Sequence, residues 1–157
     1  MGVNLVKQYK QAGLSDTIPV LSAFTVDEST LPAQQDAAVG MFGGANWAPN
    51  LDNPQSKKFV ASYEAAYNSV PGTYAMQGYD TALLIDSAVK ATGGKLGDQN
   101  AMRAALAKAD FKSLRGDFKF NTNQFPIQNF YIQEAVKDAE GMMTVKTIAT
   151  AVKDAKD

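Results

Sequence analysis

The apolar residues of this chain change their period twice, and that change limits the architectures open to it. Val3, Leu5, Val6, Tyr9 and Ala12 fall near helical spacing, with Gly13 as a C-terminal stop. Ile18-Pro19-Val20-Leu21 then reads as a buried strand, Leu31 to Ala38 as a short helix, and Val39-Gly40-Met41-Phe42-Gly43 as a second strand. This helix–strand–helix–strand rhythm is that of a parallel α/β sheet. From Asn53 to Ala109 the pattern is helical only. Asn53 is placed to cap a helix and Pro54 to take its first position, where a missing N–H costs nothing. Phe59, Val60, Tyr63, Ala66, Tyr67 and Val70 form its stripe, and Pro71-Gly72 ends it. A longer helix is expected from about Tyr74 to Ala91, with Tyr79, Ala82, Leu83 and Ile85 turned inward and Gly93-Gly94 as terminator. Asp98 is placed to cap a third, with Met102, Ala105, Leu106 and Ala109 on one face.

Beyond Asp117 the period becomes two. Phe118 and Phe120 alternate with polar neighbours, as does part of Ile127 to Val136. Asp138-Ala139-Glu140-Gly141 reads as a hairpin turn, with a returning strand from Met143 to Thr150 and a frayed end. These strands are few for so many helices. A doubly wound domain normally has about five or more, so the chain reads as part of a larger α/β fold.

The chemistry available is restricted. The 157 residues include no histidine and no cysteine, which removes Ser-His-Asp and Cys-His catalysis, zinc fingers, haem and iron–sulfur ligation. No cofactor and no metal is expected. Fifteen basic and sixteen acidic residues balance, which argues against a nucleic-acid partner, and Arg103 and Arg115 are the only arginines. Gly93-Gly94-Lys95-Leu96-Gly97 lacks the Lys-Ser/Thr pair of a phosphate loop and follows a helix. The pairs Asp27/Glu28 and Asp52/Asp80 are candidates for acid–base hydrolysis only if each converges in space. The lack of cysteine leaves the redox compartment open, and no run approaches the roughly 20 apolar residues of a membrane span. The start lacks the charged and apolar regions of a secretory signal, so the chain reads either as cytoplasmic or as processed or truncated.

Two positions stand at strand ends, where α/β sheets hold ligands. Trp47 follows the second strand and offers a large apolar face with one donor; its alternative is packing at a chain crossing. Thr25, after the first strand, is a candidate hydrogen-bond donor. The tyrosines at 63, 67 and 74 follow the helical stripe and are expected in the core, while Asp80 is expected to stabilise its helix through the dipole.

Several blocks together resemble one family. They are Phe59-Val60-Ala61-Ser62-Tyr63-Glu64-Ala65-Ala66-Tyr67, Pro71, Tyr74-Ala75-Met76-Gln77-Gly78-Tyr79-Asp80-Thr81-Ala82, Arg115-Gly116-Asp117-Phe118-Lys119-Phe120 and Tyr131-Ile132-Gln133-Glu134. Their order and spacing resemble the periplasmic substrate-binding proteins of ABC transporters, of the branched-chain amino-acid type, over nearly the whole chain. That resemblance implies the C-terminal half of a secreted two-lobed protein of type I. Residues 1–46 would belong to the second lobe, 47–128 to the first, and 129–157 would return to the second. The turn-rich segments near Pro49 and Pro126 would be hinge crossings. The lobes would close on a small solute and dock on a membrane permease, with the signal peptide outside this chain and the parent protein periplasmic.

The resemblance also bears on the ligand. Amino-acid-binding members carry an acidic residue for the ligand's ammonium in the loop after the first strand, and the best register places Phe24 there, as ligand wall or as ordinary core. A phenyl ring cannot neutralise a buried ammonium, so an aromatic or aliphatic organic acid is favoured over an α-amino acid, unless Asp27 or Glu28 takes the acidic role in a shifted register. The family's main carboxylate-anchoring elements would lie in the other half, which implies weak or no binding by this chain alone. Missing strands would be supplied by domain swapping or self-association. Two other readings stand beside this one: a sensor or regulatory domain of the same fold, and an enzyme using carboxylates or lysine.

Overall fold

The computed structural model describes residues 2–156; Met1 and Asp157, the outer ends of the first and last expected segments, lie outside them. Helix α1 (Gly2–Gln11) presents Val3, Val6 and Tyr9 along one side, with Val6 fully buried. Gly13 ends it with a left-handed φ of 70°. Strand β1 (Leu21–Ala23), the short helix α2 (Leu31–Gln34) with a 3-10 turn to Ala38, and strand β2 (Phe42–Ala45) complete the expected alternation. Both strands begin about three residues later than the apolar runs indicate. Leu21 is exposed rather than buried because β1 is an edge strand paired on one side only, and Ile18 is exposed in the bend that precedes it.

Helices α3 (Pro54–Tyr67), α4 (Thr73–Ala91) and α5 (Gln99–Lys108) follow. The Asn53 carboxamide oxygen accepts from the N–H groups of Gln55 and Ser56, with Pro54 in the first turn. Its Nδ2 donates to the carbonyls of Leu114 and Ser113, so one side chain starts α3 and fastens it to a distant turn. Asp98 caps α5 through the N–H of Ala101, at 3.0 Å. Gly93 and Gly94 end α4 with positive φ, and the Gly94 N–H reaches back to the Val89 carbonyl as in a Schellman motif. The glycine run is a terminator, as its position after a helix indicates.

The inward face of α4 differs from the expected one. Met76, Asp80 and Ala88 are buried, whereas Tyr79 and Ile85 are 45% and 49% exposed. Tyr67 and Tyr74, expected in the core, are likewise exposed. The apolar stripe on α3 and α4 is wider than the surface that the described residues cover, so aromatic rings pack on one another along an open groove. Phe59 lies 4.8 Å from Tyr79, and Tyr63 4.6 Å from Tyr67, between ring centroids.

Strands β3 (Lys119–Phe120), β4 (Pro126–Lys137) and β5 (Met143–Ala155) form the tail. The five strands make one mixed sheet: β1 and β2 are parallel, and β4 runs antiparallel to β2, β3 and β5. The hairpin turn stands where expected, with Asp138 accepting from the N–H groups of Glu140 and Met142 and Gly141 at a φ of 81°. The end does not fray at Thr150. β5 continues to Ala155 because β4 extends back to Gln128 and pairs with it, across three irregularities of register.

Most of the buried apolar side chains fall into two clusters. Val6, Val26, Leu31, Ala38, Met41, Ala48, Ala135 and Val145 form one; Trp47, Phe59, Met76 and Leu114 form the other. Asn53 serves the second cluster in two ways, as cap and as donor. Asn53→Ala is expected to cost about 2 kcal/mol, and Asn53→Asp about half as much because it keeps the cap acceptor and loses only the donor. Urea unfolding of the two variants beside the parent chain measures both.

Candidate functional site

The site begins at the carboxyl end of β1. Ser22 donates a short hydrogen bond to the Thr25 hydroxyl. The Thr25 carbonyl accepts from Gln34 Nε2 at 2.7 Å and from the Thr30 hydroxyl at 3.2 Å, so the loop is fixed at its first residue. Phe24 adopts a φ of 61°, a left-handed conformation that a bulky side chain enters only at a cost of about 1–2 kcal/mol. Its ring projects outward, 46% exposed, and meets Tyr74 on α4 with centroids 6.1 Å apart and planes tilted by 31°. Gly2, at the start of α1, stands against the same loop: a Cβ there would lie 3.1 Å from Thr25 Cγ2.

The two carboxylates that follow have opposite roles. Asp27 accepts from the N–H and hydroxyl of Ser29 on one oxygen, and from the N–H and hydroxyl of Thr73 on the other. Burial raises its pKa, but these four donors outweigh burial and hold it below the ordinary value of 3.8. Glu28 accepts from the Thr144 hydroxyl at 2.7 Å and the Val145 N–H at 2.9 Å, which ties the loop to β5. Burial dominates there, with repulsion from Asp27 and Asp138 added, and raises its pKa above the ordinary 4.5. A cleft of about 390 Å³ opens beside this pair, between Pro32 and the 69–75 region.

Trp47 lies at the end of β2 and is 1% exposed. Its indole N–H donates to Ser56 at 2.8 Å, its ring meets Phe59 edge-on, and its carbonyl accepts from Gln133. The indole thus stands among core side chains at a chain crossing. Phe24 and Thr25 are brought together with Tyr74, Asp27 and Thr73, whereas Trp47 packs in the second cluster.

A second polar assembly crosses the molecule behind Trp47. Asp80 accepts from the Ser113 hydroxyl at 2.6 Å, the Leu114 N–H at 2.9 Å and Arg115 Nε at 3.1 Å. Arg115 also donates from Nη1 to Gln128 at 2.7 Å and lies over the Phe118 ring. Burial lowers the Arg115 pKa, and Asp80 opposes that shift. Asn46 donates to the same Gln128 oxygen, while its own Oδ1 is buried with no partner among the described residues. Asp80 therefore does more than complement a helix dipole. Asp52 is exposed and pairs with Lys57, in surroundings unlike those of Asp80. Tyr74 and Arg115 each open a block that resembles the family, and Arg115 is one of two arginines, whereas Thr73 carries no signal in the sequence.

Comparison with known proteins places these features among transporter components. Residues 1–141 match the family model described as periplasmic binding protein. The Leu/Ile/Val-binding protein homolog 6 of Brucella abortus is 31% identical over 129 residues, which cover 78% of this chain and 32% of that protein. The chain spans about a third of the length of the curated relatives it matches. Among solved structures, an ABC transporter substrate-binding protein from Sphaerobacter thermophilus superposes with a TM-score of 0.88 at 27% identity, over 98% of this chain and 42% of its own. A solute-binding protein of an ABC transporter from R. palustris, in complex with benzoate, gives 0.84 at 35% identity, over 98% and 41%. One from Rhodopseudomonas palustris BisB5, in complex with 3,4-dihydroxy benzoic acid, gives 0.85 at 31%, over 98% and 43%.

The two carboxylates predict opposite pH behaviour. The contribution of Asp27 is complete above 3.8 and is lost as pH falls through its depressed folded value. That of Glu28 is complete below 4.5 and is lost as pH rises through its raised folded value. Glu28→Gln keeps an oxygen for Thr144 and Val145 and removes the charge. Relative to the parent chain, the variant is expected to be more stable at pH 7 than at pH 4, as read by urea unfolding at the two pH values.

Proposed function

The chain belongs to the periplasmic binding protein family, and on that premise we propose that it forms part of an extracytoplasmic solute-binding protein that presents a small organic acid to an ABC transporter permease. Residues 47–128 act as part of one lobe, and residues 1–46 with 129–157 as part of the other. The two buried clusters support this division, with Ala48 the one member that packs with the cluster of the other segment. The lobes close on the solute, and binding energy favours closure only through contacts that are better in the closed form. The parent protein works in the periplasm, and no helix among the described residues is long and apolar enough to cross a membrane.

The observation that carries the ligand reading is the Phe24–Tyr74 pair. Two exposed rings from different segments face each other at 6.1 Å, where a third ring gains aromatic contacts worth about 0.5–1.5 kcal/mol beyond burial. The loop offers no free carboxylate for an ammonium: Asp27 and Glu28 already accept from four and two donors. The Thr25 hydroxyl, paired with that of Ser22, is the donor offered to a ligand carboxylate. The start of α1 beside it favours negative charge. Trp47 acts from behind, by fixing the end of β2. The solved relatives in complex with benzoate and 3,4-dihydroxy benzoic acid agree with an aromatic acid. The reading needs no catalytic group, cofactor or metal.

Because much of the closed cleft lies in parts of the relatives that this chain does not span, the isolated chain binds weakly, with a dissociation constant of about 1 mM or above. Benzoate and 4-hydroxybenzoate at millimolar concentration are expected to shift the ring resonances of Phe24 and Tyr74, leucine is not, and Phe24→Ala removes the effect. Leucine shifts equal to those of benzoate, or shifts confined to other residues, refute the aromatic-acid reading.

A further inference from the structure

Helix α4 begins without a cap of its own. Gly72 precedes it and has no side chain, so the first N–H groups of the helix need an acceptor from elsewhere. Asp27, far away in sequence, supplies it. One carboxylate oxygen accepts from both the N–H and the hydroxyl of Thr73, each at 3.0 Å, and the two residues are 8% and 4% exposed. The loop that delivers Asp27 is held rigidly. The Asp27 carbonyl accepts from the N–H groups of Thr30 and Leu31, and the Asp27 N–H donates to the Thr30 hydroxyl.

Gly72 fits this contact in a specific way. A Cβ there would lie 2.5 Å from Asp27 Oδ1, although the φ of −86° at Gly72 suits any residue. The carboxylate is thus the main obstacle to a side chain at that position. A cleft of about 390 Å³ opens beside the contact, between Pro32 and the 69–75 region. The polar contact and the neighbouring Phe24–Tyr74 rings join the loop after β1 to α4.

We propose that Asp27 is a closure latch: a positioning residue that caps α4 from the opposite segment and sets the separation of residues 2–46 from residues 54–118. The inference rests on the two-lobed reading above and adds to it the residue that holds the two segments together. Engagement brings Phe24 and Tyr74 to their 6.1 Å spacing, because Phe24 is three residues from the latch on one side and Tyr74 adjoins Thr73 on the other. The charge on Asp27 meets the positive end of α4, which strengthens the bonds to Thr73.

The chain has no cysteine, so Lys7→Cys and Lys108→Cys, both on exposed positions, allow a pair of spin labels to report the separation without ligand. Asp27→Ala and, independently, Gly72→Ala are expected to move the distance distribution to longer values. Gly72→Ala in the Asp27→Ala background is expected to add nothing, because the obstructing oxygen is gone. Exchange of the Thr73 amide with deuterium accelerates about tenfold in Asp27→Ala, as loss of an N-cap of ordinary worth produces. Unchanged distances in both single variants overturn the latch. So does a Gly72→Ala shift that persists in full without Asp27. Faster Thr73 exchange at unchanged distance reduces Asp27 to a helix cap and likewise refutes the proposal. Since no ligand is present, failure of the aromatic-acid reading does not disturb this result.

Discussion

The Asp80 carboxylate is the interaction on which the arrangement of helices and sheet depends. A charge removed from water at 2% exposure is costly unless its acceptor sites are filled, and removing one partner of such a pair costs about 3–5 kcal/mol. Ser113, Leu114 and Arg115 fill them together, which makes the 113–115 turn a rigid extension of α4. Once that turn is set, Arg115 is aimed. Its far nitrogen reaches Gln128 at the start of β4, and Asn46 at the end of β2 reaches the same oxygen. Asn53 then joins α3 to the turn through the Ser113 and Leu114 carbonyls. One buried anion thus relates two helices, α3 and α4, to the two paired strands β2 and β4 beside Trp47.

Asp27 meets the first turn of α4 from another segment and Asp80 belongs to α4 itself, and the two contacts differ in kind. Asp80 has a guanidinium partner held in place by a second acceptor and by the Phe118 ring, so its contact is shielded and permanent. Asp27 has only neutral donors and the helix dipole, beside an open cleft. Releasing it exposes a carboxylate that water solvates readily and a helix end that water can also satisfy. The far side of α4 is therefore anchored and its first turn is detachable. That asymmetry is the mechanical requirement for a joint, and it arises from which of the two anions has a cation.

Much of the fold was legible because local signals and tertiary structure agree. Asn53-Pro54, Asp98 and Gly93-Gly94 mark helix boundaries through backbone chemistry that does not depend on partners, and the structure has them at those places. The mixed α/β class followed from the change of period. Exposure was less legible, since Tyr67, Tyr74, Tyr79 and Ile85 lie on a stripe whose period is helical whether or not anything covers it. Periodicity reports which face is apolar, and only tertiary contacts decide how much of that face is buried. The site was half legible for a related reason. Strand ends pointed to Thr25 and Trp47 and the family resemblance to Phe24, but pairing across 46 residues, as between Asp27 and Thr73, leaves no local trace.

Phe24 carries the clearest conflict between local preference and structure. Glycine or asparagine suits a φ of 61° far better than a phenyl-bearing residue does. The conformation persists because both flanks are fixed, by Ser22 with Thr25 behind it and by Gln34 and Thr30 on the Thr25 carbonyl. In an extended conformation the strand would continue and the ring would alternate onto a face of the sheet. The left-handed residue instead ends β1 and turns the ring toward Tyr74. A strained backbone with an apolar ring left half in water lowers stability twice over, with no compensation inside the loop. The compensation has to come from what the ring meets, which is Tyr74 in this structure and, on the proposed function, a planar acid as well.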